Sequence, residues 1–315
     1  MIDSLKELLK QPYWSIALIL GVLLVAFPCV TIDKDFHWRT HQPSTYLPVV
    51  VGFVLLLLSS ISFGFTLLSN RPTNADNVVG GLDLTRVKEA DGALWTTVGG
   101  CEIRAVEGRI GDYAAGAGVA IALPCNEYFD DRCVEDTRSA LGAYVDRMFE
   151  GQVKEFVSLM QSEARKELGP GVERQKTPKE SAESFGAGRC VLLIKPLNHS
   201  VTATLVSTTT QRADQGLTAR ISYLFDGMCE LVTRLANARL NEVVMPVLGA
   251  GHGGIDPPLA FVGLLLAVAE AARYRQGGWR LKRVTIVVFQ PDADKPPEVD
   301  KVVVRRALAL IGSRD

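Results

Sequence analysis

The chain has 315 residues, a formal net charge of −1 and 47% hydrophobic residues. Its 34 Lys and Arg residues balance its 35 Asp and Glu residues. Because no basic block with interleaved aromatic residues appears, we do not expect nucleic acid as a partner. The six cysteines form no C-x-x-C motif and no disulfide-like framework, which fits a reducing compartment.

Two uncharged segments near the N-terminus predict a membrane hairpin. No Asp, Glu, Lys or Arg occurs from Gln11 to Ile32 or from Gln42 to Asn70. Each segment exceeds the roughly 20 residues that a helix needs to cross the hydrocarbon core. We therefore predict that residues 1–70 form a transmembrane hairpin in the lipid bilayer, with helices at about 12–32 and 46–69.

The distribution of basic residues favours one orientation of this hairpin only slightly. The connection between the helices contains two basic residues, Lys34 and Arg39. The segments on the other side of the membrane contain three, Lys6, Lys10 and Arg71. We place both termini and the soluble domain in the cytoplasm, which agrees with the lack of a disulfide-like framework.

Each predicted helix contains two small residues spaced for close helix packing. These pairs are Ala17 with Gly21 and Ser60 with Gly64. Neither helix contains an ionisable residue that could line an ion path. The pairs fit packing within one hairpin or packing between hairpins of several subunits.

A polar linker of residues 71–90 precedes one predicted globular domain of residues 91–315. Apolar runs there alternate between strand and helix periodicity, which is typical of a layered α/β domain with a largely parallel or mixed sheet. The predicted strands are Leu94–Val98, Cys101–Glu107, Val119–Leu123, Arg189–Lys195, Val201–Thr209, Glu242–Leu248 and Arg283–Phe289. The predicted helices are Cys133–Glu167, Thr218–Ala238, Pro257–Arg275 and Val299–Gly312. By composition, Pro170 to Gly188 is predicted to be a flexible loop.

The most informative segment is a strand followed by a glycine-rich loop and a helix. The strand at Glu242–Val247 runs into a loop that holds Gly249, Gly251, Gly253 and Gly254. Such glycines permit positive φ and let backbone N–H groups approach an anion. Asp256 is a predicted N-cap and Pro257 a first helical residue, so we expect the loop to open onto a helix N-terminus that favours phosphate. The alternative is a tight connection whose glycines serve turn geometry alone.

The sequence contains few residue patterns that are typical of catalytic sites. It contains no H-E-x-x-H, G-x-S-x-G or Walker motif and no zinc-spaced Cys/His set. Asp130 and Asp131 could activate water, but we favour a role in capping the next helix. His252 could contact a phosphate or remain exposed to solvent. We predict no catalytic residue, no metal and no cofactor.

Three segments resemble the macro domain, the module that binds ADP-ribose and its derivatives. They are Val106–Ile110 after a strand, Ile121–Asn126 within the next strand, and Pro246–Ile255 before a helix. The resemblance covers roughly Trp95 to Gly312. It implies a three-layer α/β/α fold with a mixed sheet, preceded here by the two transmembrane helices.

The resemblance also implies a binding site for an ADP-ribose derivative. In that family an aromatic residue near the end of a late strand packs on adenine, although Phe289 could also be an ordinary core residue. The residues implied to bind the ligand are Arg109, Ile110, Asp112, Asn126, Asp131, Arg132, Leu248, Gly249, Ala250, Gly251, His252, Gly253, Gly254, Ile255 and Phe289.

The chain departs from the family pattern in two places. Arg109 stands where the family usually has the Asp that holds the adenine amino group, and Asp112 is the candidate substitute. The segment Glu127–Cys133 lacks the glycines of the first phosphate loop of ADP-ribose hydrolases, so Arg132 is a candidate replacement for the missing amides. These departures favour ligand binding over hydrolysis.

A macro-like domain behind a two-helix hairpin resembles the membrane effectors of type II Thoeris antiphage systems. In that family a Toll/interleukin-1-receptor (TIR) protein makes an ADP-ribose-derived messenger from NAD, here implied to be a histidine conjugate. The resemblance implies that the domain binds the messenger and that the membrane segments then damage the inner membrane of the bacterial cell, as a homo-oligomer. Two alternatives remain: a membrane-tethered ADP-ribosyl hydrolase, and a non-enzymatic anchor that reads ADP-ribosylated proteins.

Overall fold

In the computed structural model, the described residues are 31–32, 38–39, 78–79, 82–113, 118–212, 216–292 and 294–312. The chain divides into two compact units, Met1–Asp76 and Asn77–Asp315, and each is described by itself.

The first unit is described at only four residues. Thr31–Ile32 forms an antiparallel ladder with Trp38–Arg39, so the last two residues of the first predicted helix lie in a strand. The rest of both predicted helices, with their small-residue pairs, lies outside the described residues. Within the described part of the chain, no helix combines the length and the apolar composition needed to cross a bilayer.

The second unit is built on a nine-stranded sheet. Its strands are β1 (Lys88–Ala90), β2 (Ala93–Val98), β3 (Cys101–Gly108), β4 (Val119–Asn126), β7 (Cys190–Ile194), β8 (Thr202–Arg212), β9 (Gly216–Ala219), β10 (Glu242–Pro246) and β11 (Arg283–Phe289). A separate antiparallel hairpin consists of β5 (Val172–Thr177) and β6 (Glu180–Ser184). Two-residue ladders join Val78–Val79 to Leu82–Asp83 and Arg275–Gln276 to Trp279–Arg280.

The sheet is mixed, with a parallel centre and antiparallel margins. The order is β7-β8-β4-β10-β11-β3-β2-β1, and β9 also pairs with β8. Four neighbouring pairs of strands are parallel: β8 with β4, β4 with β10, β10 with β11, and β11 with β3. The remaining pairs are antiparallel. The carboxyl ends of five neighbouring strands therefore meet at one edge.

Helices cover both faces of the sheet. They are α1 (Arg132–Glu135), α2 (Ala140–Met148), α3 (Val153–Leu168), α4 (Ile221–Asn237), α5 (Pro257–Ala271) and α6 (Lys301–Ile311). Helices α4, α5 and α6 share one core with Ala120 and Ala122, whereas α1, α2 and α3 share a second core with Ile121 and Leu123. Because successive strand residues face opposite sides, these two cores flank the sheet. The predicted α/β fold with a mixed sheet is confirmed for this unit.

The predicted helix Cys133–Glu167 is wrong as a continuous helix. It is interrupted before Ser139, whose side chain caps α2, and again after Met148, where Phe149 leaves the helical conformation and Gly151 has a φ of +75°. The predicted helix Thr218–Ala238 also starts too early. Strand β9 extends to Ala219, and α4 begins at Ile221.

The predicted flexible loop from Pro170 to Gly188 is wrong as well. Most of it is the β5–β6 hairpin. Lys176 and Ser184 from this hairpin are buried against side chains that follow β4, namely Asp130 and Glu127. Long-range polar contacts therefore order a segment whose composition alone suggests a loop.

Candidate functional site

A cleft of about 1420 Å³ lies at the carboxyl ends of the parallel strands. Each of those five strands contributes a lining residue: Gly108 from β3, Asn126 from β4, Gln211 from β8, Pro246 from β10 and Phe289 from β11. Open α/β sheets bind their ligands at this edge. The volume exceeds the roughly 300–1,000 Å³ usual for small-molecule sites, so an extended ligand fits.

One wall of the cleft is the glycine-rich loop after β10. Gly249, Gly251 and Gly254 have φ values of +84°, +64° and +74°, which a side chain would strain. The N–H of Gly254 donates to the carbonyl of Gly251 (3.0 Å). Among the described residues, no protein acceptor takes the N–H groups of Gly249 to His252. These amides are therefore available to an anionic ligand.

The helix after this loop does not contribute to the cradle, contrary to the sequence-based prediction. The Asp256 side chain makes no capping hydrogen bond, and Pro257 and Pro258 carry no N–H. The N–H of Ala260 already donates to the carbonyl of Asp256 (2.8 Å). Since none of these residues lines the cleft, the available donors belong to the loop and not to the start of α5.

Another wall of the cleft is the start of α2. Ser139 Oγ accepts from the N–H of Gly142 (2.8 Å) and donates to the carbonyl of Cys133 (2.8 Å), which fixes where this helix begins. Ser139, Ala140 and Arg147 line the cleft. The positive end of the α2 dipole thus lies in the same cleft as the loop amides.

A polar contact joins the two walls. His252 Nε2 of the glycine loop lies 2.9 Å from Asp136 Oδ2, just before α2. Arg138 pairs with both oxygens of Asp136 (2.9 and 3.0 Å). The Arg138 side chain and backbone N–H hold the pKa of the Asp136 carboxyl below its ordinary value, with a smaller contribution from His252. All three residues line the cleft.

Asn126 lines the cleft, but internal hydrogen bonds hold its side chain. Its Oδ1 accepts from the N–H of Tyr128 (3.0 Å), and its Nδ2 donates to Asp130 (2.9 Å). Asp130 is itself buried in an ion pair with Lys176 and accepts from the N–H of Arg132 (3.3 Å). Neither Asp130 nor Asp131 lines the cleft. Asp130 therefore anchors the loop after β4 and caps α1 in part.

Two cysteines, Cys125 and Cys133, also line the cleft. Burial raises the pKa of Cys133 to about 12 and that of Cys125 well above its ordinary value. The N–H of Asn126 donates to Cys133 Sγ (3.1 Å). Because the thiolate is the nucleophilic form, this shift disfavours nucleophilic chemistry at both cysteines.

The cleft lining also includes an exposed aromatic ring, that of Phe289. Phe289 is 48% exposed and lines the cleft with Ile110. Arg109 lines it too and pairs with Asp292 (3.1 Å). Asp112, the expected contact for an amino group, is instead paired with Arg147 and does not line the cleft.

The cleft brings together most of the predicted ligand residues. Those that line it are Arg109, Ile110, Asn126, Arg132, Gly249, Ala250, Gly251, His252, Gly253 and Phe289. Those that do not are Asp112, Asp131, Leu248, Gly254 and Ile255. Leu248 is fully buried in the core. It lies between β10 and Gly251, the first exposed glycine of the loop. No metal-binding group of three or more His, Cys, Asp or Glu residues occurs in the described segments.

Several lining residues were not identified from the sequence. They are Gly108, Asp136, Arg138, Ser139, Arg147, Thr208, Thr209, Gln211 and Glu298. Ser139 was detectable as an N-cap before an apolar helix. The others reach the cleft through strand order and through the breaks in the predicted long helix, which local patterns do not show.

No protein-family model matches the chain, and no curated protein matches it. Among solved structures, it is similar to an Oceanobacillus iheyensis macrodomain with ADP at 12% identity and a TM-score of 0.45, over 63% of this chain and 89% of that one. A mutant of that macrodomain with ADPR gives 12% identity and a TM-score of 0.47 over 69% and 96%. The macrodomain of Thermus aquaticus DarG gives 19% identity and a TM-score of 0.39 over 59% and 97%.

Proposed function

We propose that the cleft binds an ADP-ribose-derived nucleotide. The observation that carries this proposal is that the unpaired loop amides of Gly249 to His252 and the start of α2 line the same cleft. A diphosphate between them accepts hydrogen bonds from the amides and lies near the positive end of a helix dipole.

The volume and the lining of the cleft support a large ligand that carries a planar ring. Phe289 offers a half-exposed aromatic face beside Ile110, and a purine ring can stack on such a face. The sequence resemblance to macro domains points to the same class of ligand.

The side chains near the cleft support binding without turnover. Asp130, the carboxylate considered as a base, is buried beside Lys176 and outside the lining. The raised pKa values of Cys125 and Cys133 disfavour a thiolate nucleophile. We therefore propose a ligand sensor and not a hydrolase.

On the resemblance to Thoeris effectors, we propose that the chain acts in antiphage defence. The domain would bind a messenger, a histidine conjugate of ADP-ribose, made by a TIR protein. The predicted hairpin would place the protein in the bacterial inner membrane, as a homo-oligomer that disrupts the membrane when the messenger binds.

Calorimetry of the full-length protein in detergent tests the binding proposal. The titrants are NAD, ADP-ribose and the histidine conjugate of ADP-ribose. We expect the conjugate to bind and to be recovered chemically intact after incubation. Absence of binding by all three compounds would reject the proposal, and product formation at enzymatic turnover would reinstate the hydrolase.

A further inference from the structure

A basic surface lies at the edge of the sheet opposite the cleft. It surrounds the amino ends of β3, β10 and β11, which begin at Cys101, Glu242 and Arg283. Strand β11 spans seven residues, so this edge is about 20 Å from the carboxyl ends that line the cleft. Contacts among the described residues place seven cations and three carboxylates here, which leaves a charge of +4: Arg104, Arg239, Arg273, Arg275, Arg280, Lys282 and Arg283, with Glu102, Glu242 and Glu270.

Backbone contacts hold the hairpin after α5 against the start of β3. Arg275 and Arg280 lie opposite each other in the ladder of this hairpin. The Arg275 side chain donates to the carbonyl of Gly99, just before β3. The carbonyl of Lys282 accepts from the N–H of Glu102 (2.8 Å). The cations of this hairpin therefore lie close together at the amino end of the sheet.

Four cations of the basic surface have no carboxylate partner within the described part of the chain. The three carboxylates are paired with other cations of the surface, namely Arg104, Arg273 and Arg283. The four that are exposed and form no ion pair there are Arg239, Arg275, Arg280 and Lys282. Like charges at close range repel each other, so an anionic partner would stabilise this surface. Guanidinium groups suit phosphate oxygens in particular, because they donate two parallel hydrogen bonds.

Contrary to the sequence-based expectation, one segment of this surface interleaves basic with aromatic residues. It runs from Arg273 to Arg283 and contains Tyr274 and Trp279. Both rings pack against the core, and they lie edge to face with centroids 6.2 Å apart. Trp279 Nε1 also donates to the carbonyl of Leu240 (2.9 Å). Because these inward contacts occupy the rings, the surface offers positive charge more than a platform for stacking bases.

We propose that this basic surface docks on the anionic phosphate headgroups of the lipid bilayer. The inference rests on the membrane attachment in the proposed function, because the predicted hairpin of residues 1–70 would keep headgroups within reach of the domain. Each Lys or Arg near an anionic leaflet strengthens such an attraction about fivefold. The cleft, at the opposite edge of the sheet, then opens away from the bilayer and toward a messenger in the cytoplasm.

One variant removes three of the unpaired cations together: Arg239→Gln, Arg280→Gln and Lys282→Gln. Within the described residues, none of these side chains makes a hydrogen bond or an ion pair. The substitutions therefore remove charge without removing a contact that supports the fold, and denaturation should confirm that stability stays within about 0.5 kcal/mol of wild type.

The matched control combines Arg174→Gln, Lys179→Gln and Arg220→Gln. These residues are also two arginines and one lysine, all exposed and without an ion pair in the described segments. Two lie in the β5–β6 hairpin and its turn, and Arg220 precedes α4. Both variants change the net charge of the chain by the same amount, so they differ only in where the charge is lost.

The test is hydrogen exchange of the full-length protein in lipid nanodiscs. One set of discs contains phosphatidylcholine alone, and the other contains phosphatidylcholine with phosphatidylglycerol. We expect the anionic discs to slow exchange of the peptide Arg273–Arg283 at least about threefold, because docking shields its amides from solvent. In salt of about 1 M the Debye length falls to about 3 Å, so this difference should disappear. The variant of the basic surface should lose the difference, and the control should keep it.

The outcomes separate this inference from the proposed function. Equal exchange of wild type in both kinds of disc overturns the inference, and so does a difference that the variant of the basic surface retains. Protection by an added DNA duplex in neutral discs, without protection by anionic discs, would assign the surface to nucleic acid instead.

Failure of the chain to enter neutral discs would reject the predicted hairpin and with it the proposed membrane effector. Flotation then decides the inference on its own. Flotation of wild type with phosphatidylglycerol vesicles, and its loss in the variant of the basic surface, would still support docking on headgroups. Absence of wild type from those vesicles would overturn it.

Discussion

Individual glycines in the loop after β10 are required for different structural reasons. A Cβ added at Gly251 meets open space, but the φ of +64° strains any side chain. A Cβ added at Gly253 would lie 2.7 Å from Cβ of Ala219 in β9. Gly251 is thus required by backbone conformation, and Gly253 by close packing against the neighbouring strand.

We predict that Gly251→Ala lowers ligand affinity through the loop conformation. Adopting positive φ should cost the folded state about 1–2 kcal/mol. Ligand affinity should fall at least about tenfold, because the amides no longer hold the geometry that an anion needs. Chemical denaturation and calorimetry measure the two effects.

Gly278→Ala provides the matched control for this substitution. Gly278 has a φ of +80° and equally open space, but it does not line the cleft. It should lose comparable stability and keep full affinity for the ligand. Equal affinity in the two variants would show that the backbone amides around Gly251 do not bind the ligand.

At the scale of elements, the β5–β6 hairpin depends on a buried ion pair. The Lys176 side chain is 3% exposed and pairs with Asp130, which in turn holds the side chain of Asn126. The hairpin therefore supports the loop after β4 that forms part of the cleft wall.

We predict that Lys176→Met destabilises the protein by about 3–5 kcal/mol, because it leaves the carboxylate of Asp130 buried without a cation. The double variant Lys176→Met with Asp130→Asn should recover much of this loss, since no charge then remains buried. Urea denaturation measures both. Lys179→Met, in the exposed turn of the same hairpin, should stay within about 0.5 kcal/mol of wild type. Equal stability of Lys176→Met and Lys179→Met would contradict the role given to the pair.

This hairpin also shows where sequence patterns stop being informative. Strands such as β10 and β11 were predicted because Val and Ile runs fit a sheet that is buried on both faces. The hairpin lacks such runs, and its order comes from Lys176 and Ser184 meeting residues far away in the sequence. The loop glycines were predictable from local conformation, whereas Glu298 reaches the cleft through backbone contacts with Phe289 at the end of β11.

At the scale of the whole molecule, binding has to be coupled to the predicted membrane segment for the proposed function to work. A ligand shifts an equilibrium only by the difference between its affinities for the two states. The messenger must therefore bind one subunit arrangement more tightly than another, and we expect its addition to change the assembly of the full-length protein.

We predict that Gly21→Leu and Gly64→Leu suppress membrane damage while leaving messenger affinity unchanged. The predicted helices contain no ionisable residue, so a leak has to arise from altered helix packing, and the small-residue pairs are where helices can approach closely. A membrane-potential dye in cells that also contain the messenger-producing TIR protein reports the damage, and calorimetry reports the affinity. Ala26→Leu, at a position outside these pairs in the first predicted helix, is the control and should depolarise cells as wild type does. Depolarisation by both glycine variants at the wild-type level would show that these packing positions do not carry the response, even if the messenger binds as proposed.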